Sequence, residues 1–325
     1  MLLSYQENYR KEISMAKKDI DTKQYMRNPR RFADFFNGLI FHGKQVIDYS
    51  LLEEIDTSML SVIPYSKKKG HKSVQKFRDI IKKSVIMKAD KGYFALLGIE
   101  NQSDIHYAMP VKDMLYDALT YQNQVDEIAN YNRKNGYCTS QEFTSGFRKE
   151  DKLIPVITVT IYWGSDSWNG PLSIRDMLID IDPAMRKYVN DYKINLFSII
   201  DKDKFPKFHT ELRELFLILN ARNDSNKMKE LVQGDKSFRH IERDTAELIS
   251  DFASVSLPRV NKEGDFDMCK AVMDIKQEGR EEGRLEGREE GKLEVLASLV
   301  KDGLLEVEEA AKRAGISVEE MKAYL

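Results

Sequence analysis

Three things are scarce in this chain: cysteine, unbroken apolar stretches, and an excess of charge of either sign. Only Cys138 and Cys269 occur, far apart and outside any CxxC, which excludes a cysteine zinc site and fits a reduced cytoplasm. No run of about eighteen apolar residues exists, so no transmembrane helix and no membrane partner are expected. The opening MLLSYQENYRKEISMAKK lacks the continuous apolar core of a signal peptide, so export is not expected; Met15 is a second candidate start that would leave the preceding residues as an annotation artefact. A net charge of −2 gives by itself no hint of a polyanionic partner. At 325 residues, 32% charged and 42% hydrophobic, the chain reads as a soluble globular protein with one sizeable α/β domain and a smaller helical part.

The stretch KADKGYFALLGIENQ, Lys88 to Gln102, is the most informative. An apolar run from Tyr93 to Ile99 ends abruptly in Glu100 and Gln102, which share one strand face because side chains alternate with period two. Upstream, DIIKKSVIM opens at Asp79, and KADKG between the two segments is a turn candidate, so the pair reads as a hairpin. With an even loop, either Ala89 and Asp90 alone or Lys88 to Lys91, paired positions sum to 179 and Asp79 faces Glu100, their Cβ atoms roughly 5 Å apart. A three-residue loop would put Asp79 opposite Asn101 and turn its side chain away. Two facing carboxylates repel each other and are tolerated best around a divalent cation, and oxygen ligands of this kind suit magnesium or manganese.

Asp79, about twenty residues of hairpin, and then Glu100-Asn101-Gln102-Ser103 resemble the D-Xn-E-x-K/Q active site of the PD-(D/E)XK nucleases, in the branch of recombination-promoting nucleases and transposases. The segments IENQSDIHYAMPVKDMLYDALTYQNQ, SGFRKEDKLIPVITVTIYWG, WNGP and VNDYKINL follow that family's order, so the resemblance runs from Arg27 to Phe197. It implies a PD-(D/E)XK-like α/β fold, a mixed β-sheet flanked by helices, and a metal-dependent cut in DNA.

Phosphodiester hydrolysis needs an activated water and stabilised charge on the phosphoryl oxygens, both of which a carboxylate-held Mg²⁺ supplies. Asp79 and Glu100 would hold the ion, the Asn101 carbonyl is a third candidate ligand, and Gln102 would orient the water. Lysine is commoner at the Gln102 position across the superfamily, and glutamine brings a dipole in place of a charge. The competing class is a non-catalytic DNA-binding or scaffolding protein on a decayed nuclease fold. A nuclease effector of host defence would share the chemistry and differ in target.

Between Pro64 and Gly92 stand ten Lys or Arg, Lys82 and Lys83 among them, against two acids, an island leading straight into the hairpin. It is either a DNA-phosphate surface or a solvated lysine-rich loop. Phe32, Phe35, Phe36 and Leu39 make a helical stripe with Pro29 near its start, and Asp34 lies off it. The superfamily's first helix often lends an acid to the metal, so Asp34 is either a third carboxylate of the site or a surface charge.

A helix is expected from about Pro110, with Met114, Leu115, Leu119 and Tyr121 buried and Lys112 and Tyr116 together on a DNA-facing side. The resembled family commonly has arginine at the Lys112 position. His106 is not expected to act in catalysis. LIPVITVTIYW, Leu153 to Trp163, reads as a buried central strand, and the loop through Trp168 either stacks on bases or closes the sheet's end.

Four parts follow: an extension over 1–26, a nuclease-like domain over 27–205, a helical region over 206–275, and over 276–325 a Glu/Gly/Arg repeat and a small helical pair. Leu212, Leu215, Phe216 and Leu219 mark one helix of the third part and Ile241 to Phe252 another. Gly279, Gly283, Gly287 and Gly291 recur every four residues, and a self-association helix over 277–294, pairing two copies of the chain, is favoured over a flexible linker.

Overall fold

The computed structural model describes residues 17–55, 79–88, 91–200, 205, 207–253, 255–257, 260 and 264–325, without the side chains of 87, 88, 91, 274–283, 285, 286 and 289. Residues 17–27 are helical (α1), and α2 follows over Pro29–Phe41. Five strands form one mixed sheet in sequence order: β1 (Glu53–Glu54), β2 (Ile80–Lys88), β3 (Lys91–Gln102), β4 (Val156–Tyr162) and β5 (Asn195–Ser198). The first two pairings are antiparallel and the last two parallel. A helix of 26 residues, α3 (Met109–Lys134), joins β3 to β4, as a parallel connection requires.

The hairpin has the even loop. Lys88 pairs with Lys91 and Ile80 with Ile99, so only residues 89 and 90 lie between the strands, and the same register carries Asp79 opposite Glu100.

One sheet face, with Ile80, Leu97, Ile99, Val159, Ile161 and Phe197, packs on α2 and on α5 (Leu212–Ala221). Phe35 meets Phe197 edge-on at 5.1 Å between ring centroids, and Phe216 lies 5.0 Å from Phe197. The expected stripes are present: Phe32, Phe35, Phe36, Leu212, Leu215, Phe216 and Leu219 are all buried. Gly38 lets the Phe208 ring lie directly against the α2 backbone, where a Cβ would collide with it. The same hydrophobic cluster continues through α6 (Ser225–Gly234) and α7 (Arg243–Ala253) to Val272, so residues on both sides of position 205 share one core.

The opposite sheet face is polar where α3 lies on it. Thr158 and Thr160 of β4 donate to Asp117 Oδ1 at 2.5 Å and Asp113 Oδ2 at 2.8 Å, and the Tyr192 hydroxyl donates to Asp117 Oδ2 at 2.6 Å. The buried stripe of α3 is therefore Asp113, Tyr116, Asp117 and Thr120, at helical spacing, while Met114 is exposed. Apolar periodicity locates the helix but misreads which side is inward, because the partner strand presents hydroxyls that pair with carboxylates.

Beyond the core, α8 (Met268–Lys301) runs as one helix through the glycine repeat. Its end packs with α9 (Val307–Ala314) and α10 (Val318–Ala323) around Leu296, Ala310 and Met321. Gly315 takes the left-handed conformation after α9, and Ser317 caps α10 in a reciprocal box with Glu320.

Candidate active site

The site is built where the hairpin opens. Asp79 precedes β2 and Glu100 ends the apolar part of β3. The Asp79 backbone N–H donates to Glu100 Oε1 at 3.2 Å, and Asp79 Oδ2 accepts from the Asn101 N–H at 2.9 Å. The Asn101 side chain points to the other face, where its Oδ1 accepts from the buried Trp163 indole at 3.0 Å. These bonds fix the strand end on which both acids sit. Trp163 itself is wholly buried and lies tilted against Phe216 and Phe252, which closes that end of the sheet.

Glu100 is completely buried, and its Oε2 makes no directed hydrogen bond. The Lys112 ammonium stands 3.0 Å from that oxygen as its charge partner. Burial, then the negative charges of Asp79 and Asp113, push the Glu100 carboxyl up to about 8 against the pull of Lys112. Burial draws Lys112 down, but Glu100 and Asp79 outweigh it and its affinity for the proton rises. Asp79 keeps a partly exposed carboxylate with the Lys23 ammonium 3.9 Å from Oδ1.

A pocket of about 310 Å³ opens here, lined by residues that include Asp19, Asp79, Asn101, Gln102, Ser103, Asp104, His106 and Lys112. The Gln102 amide donates to the Asn101 carbonyl at 2.6 Å, the main-chain oxygen expected as a ligand; a carbonyl has two lone pairs, so one remains. Asp19 is the acid the sequence did not reveal. It comes from α1, accepts from the Ser103 hydroxyl at 2.8 Å, and has its proton affinity raised from the ordinary aspartate value by burial and by the charges of Asp79 and Asp104. The helical spacing of the buried residues Thr22, Tyr25 and Met26 was its one available signal.

Several expected residues lie elsewhere. Asp34 is buried between α2 and α5, where it accepts from the backbone N–H groups of His209 and Thr210 and from the Thr210 hydroxyl, so it caps the approach to α5 and does not line the pocket. It lies off the apolar stripe yet inside, because α2 is covered on both sides from Arg31 to Gly38. Tyr116 is buried under α3 and presents no surface for DNA. Lys82 is buried too: its ammonium donates to the Arg27 carbonyl at 2.7 Å and pairs with Glu54, and burial lowers its proton affinity. Lys83, one residue on, turns to the other face, 3.4 Å from Glu53 and 4.2 Å from the Phe94 ring centroid, and keeps partial exposure. The basic island's Lys67, Lys68, Lys69, Lys72, Lys76 and Arg78 lie outside the described residues.

Two larger clefts, of about 420 and 480 Å³, lie away from the hairpin end. Their charged groups already answer one another: Lys17 pairs with Asp251 in the first, and Arg31 with Glu242 in the second. Among the described residues no three of His, Cys, Asp and Glu stand ready as a metal cage. At the hairpin end the groups that could hold a hard cation are Asp79, whose Oδ1 is turned from the strand bond, the Asn101 carbonyl, and Glu100, whose Oε2 faces Lys112.

Fold and site thus define an α/β protein whose helix-flanked mixed sheet presents an acid-lined pocket at a hairpin's open end. The family model described as "Putative transposase, YhgA-like" matches residues 74–248, more than half of the chain, and the protein belongs to that family. The matched span holds Asp79, Glu100, Gln102 and Lys112; Asp19 and Asp34 precede it. No curated protein and no solved structure matches the chain.

Proposed function

We propose that this protein is a metal-dependent DNA endonuclease of the PD-(D/E)XK type, hydrolysing phosphodiester bonds in a recombination- or transposition-related role. Family membership supports the nucleic-acid substrate. The observation that carries the catalytic reading is the facing pair Asp79 and Glu100 at the hairpin's open end, where Asp79 lines a pocket with Asn101, Gln102 and Lys112 and the buried Glu100 meets that wall through Lys112. The Lys112 ammonium, 3.0 Å from Glu100 Oε2, already answers that buried acid, and a bound divalent cation would share or take over that role.

Asp79, Glu100 and the Asn101 carbonyl would hold Mg²⁺, or Mn²⁺ in its place, which when bound supplies an acidified water and charge stabilisation on the phosphoryl group. The Gln102 amide, beside Asn101, offers a donor and an acceptor to orient the attacking water. Lys112 gives a phosphate oxygen a point charge, and Asp19 adds a carboxylate that water bound in the pocket can reach.

Asp79→Ala should abolish nicking of supercoiled plasmid in Mg²⁺ while DNA binding persists; unchanged nicking rules out this site. One observation favours a second reading, a DNA-binding protein without cleavage: Gln102 brings no charge, and its amide is turned onto the Asn101 carbonyl. A wild-type protein that shifts DNA but never cuts it, with Mg²⁺ or Mn²⁺, would select that reading.

A further inference from the structure

Tyr107 sits where β3 hands over to α3, one residue from the pocket wall at His106, and leaves 62% of its surface in solvent. Its hydroxyl donates to Asn169 Oδ1 at 3.2 Å, across to the loop that follows β4. That loop is seated firmly. Gly170 lies so close to Ile105 that a Cβ would come within 2.9 Å of its Cγ2, and Trp168 meets Tyr162 edge-on at 5.2 Å. The tyrosine is therefore an exposed aromatic ring tied at its tip to a well-seated loop. Little conformational freedom remains for it to lose on binding.

The surroundings select what can lie on that ring. Asp104 and Asp19 line part of the pocket beside it and Lys112 another part, so a strand's phosphate is drawn to the lysine and away from the two acids, and what meets the ring is a neutral, flat group. We propose that Tyr107 is a stacking post for an unpaired nucleobase adjoining the phosphate held in the pocket, which makes the preferred substrate a single-stranded or frayed segment. The inference rests on the nucleic-acid reading of the pocket and narrows its substrate class. A base inside an intact duplex already stacks on its neighbours and has no face to offer, so the post acts on strands whose bases are open.

The test uses the full chain carrying Asp79→Ala, so that strands are bound and not cut, and a fluorescent adenine analogue placed in a single-stranded oligonucleotide or in the matching duplex. Stacking on Tyr107 should quench the analogue in the single strand. Tyr107→Phe, which keeps the ring and loses only its tie to Asn169, should retain the quenching and most of the affinity. Tyr107→Ala should lose the quenching and weaken single-strand binding about tenfold or more, with duplex binding unchanged. Equal single-strand affinity and quenching in Tyr107→Ala overturns the stacking post alone and leaves the nuclease reading standing. An equal loss on duplex and single strand also overturns it, because the contact would then not be with a base. If the Asp79→Ala protein with Tyr107 intact binds neither strand form, the nucleic-acid reading falls and takes this inference with it.

Discussion

Asp79 and Glu100 hold each other's strands: Glu100 Oε1 accepts the Asp79 N–H, and Asp79 Oδ2 accepts the N–H of Asn101, the residue after Glu100. Each acid thus uses one oxygen to close the hairpin's open end and leaves the other to an ammonium, Lys23 for Asp79 and Lys112 for Glu100. Structure and proposed chemistry are separable at Asp79, because asparagine keeps an oxygen for the Asn101 N–H and removes the charge. Asp79→Asn should keep the wild-type melting temperature while Mn²⁺ affinity, read by calorimetry, drops at least about tenfold. Asp79→Ala should also lose about 1 kcal/mol of stability with that hydrogen bond. Undiminished Mn²⁺ binding in Asp79→Asn would remove Asp79 from the ligand set.

The Glu100 carboxyl, pushed up to about 8, would make the proposed metal binding depend on pH in a defined window. In the unfolded chain a glutamate titrates near 4.3, roughly, so between about pH 4.3 and 8 the folded protein holds a proton that the unfolded chain has released. The metal-free fold accordingly loses stability as pH rises through that window. A cation must displace this proton. Mg²⁺ affinity should therefore climb close to tenfold per pH unit from about pH 6 to about pH 8 and flatten above, with proton release visible as a buffer-dependent calorimetric heat. A flat profile would mean that Glu100 is already ionised without metal.

Asp34 separates a structural acid from a site acid. Its carboxylate accepts from two backbone N–H groups and one hydroxyl in a buried position, so Asp34→Ala leaves two main-chain donors without a partner. Roughly 2–4 kcal/mol of stability should be lost, read by urea denaturation. Cleavage per folded molecule should stay at the wild-type rate. A selective loss of Mg²⁺ response in a protein that remains folded would return Asp34 to the metal.

The hairpin was legible because two simple rules meet in it: strand alternation fixes which side Glu100 and Gln102 share, and loop parity fixes what stands opposite. Helices α2 and α5 were legible from phenylalanine and leucine spacing. What escaped was polar. Asp34 is off the apolar stripe yet buried, and the inward face of α3 is made of Asp113, Asp117 and Thr120, whose partners Thr158 and Thr160 come from a strand far along the chain. Asp19 escaped for a similar reason. Its helix buries Thr22, Tyr25 and Met26 but exposes Ile20, a pattern too mixed for periodicity to pick out. Pairings between polar side chains distant in sequence leave no local trace, and here they decide which acids reach the pocket.

Lys112 is the group whose removal reads the site's electrostatics most directly. Its ammonium, 3.0 Å from Glu100 Oε2 and partly shielded from water, is among the described residues the main charge that favours the ionised form of Glu100. Lys112→Met keeps the aliphatic stem and deletes that charge. Above pH 8 the variant must either keep a buried carboxylate unanswered or protonate it, so stability at pH 9 should fall by about 1–2 kcal/mol in urea denaturation. At pH 5 Glu100 is protonated in both proteins, and the two should agree within about 1 kcal/mol. The pH at which Mg²⁺ affinity flattens should move upward by about one unit, since the proton that metal displaces is held more tightly. An equal loss of stability at both pH values would instead assign Lys112 a packing role and leave the Glu100 proton without its proposed counterweight.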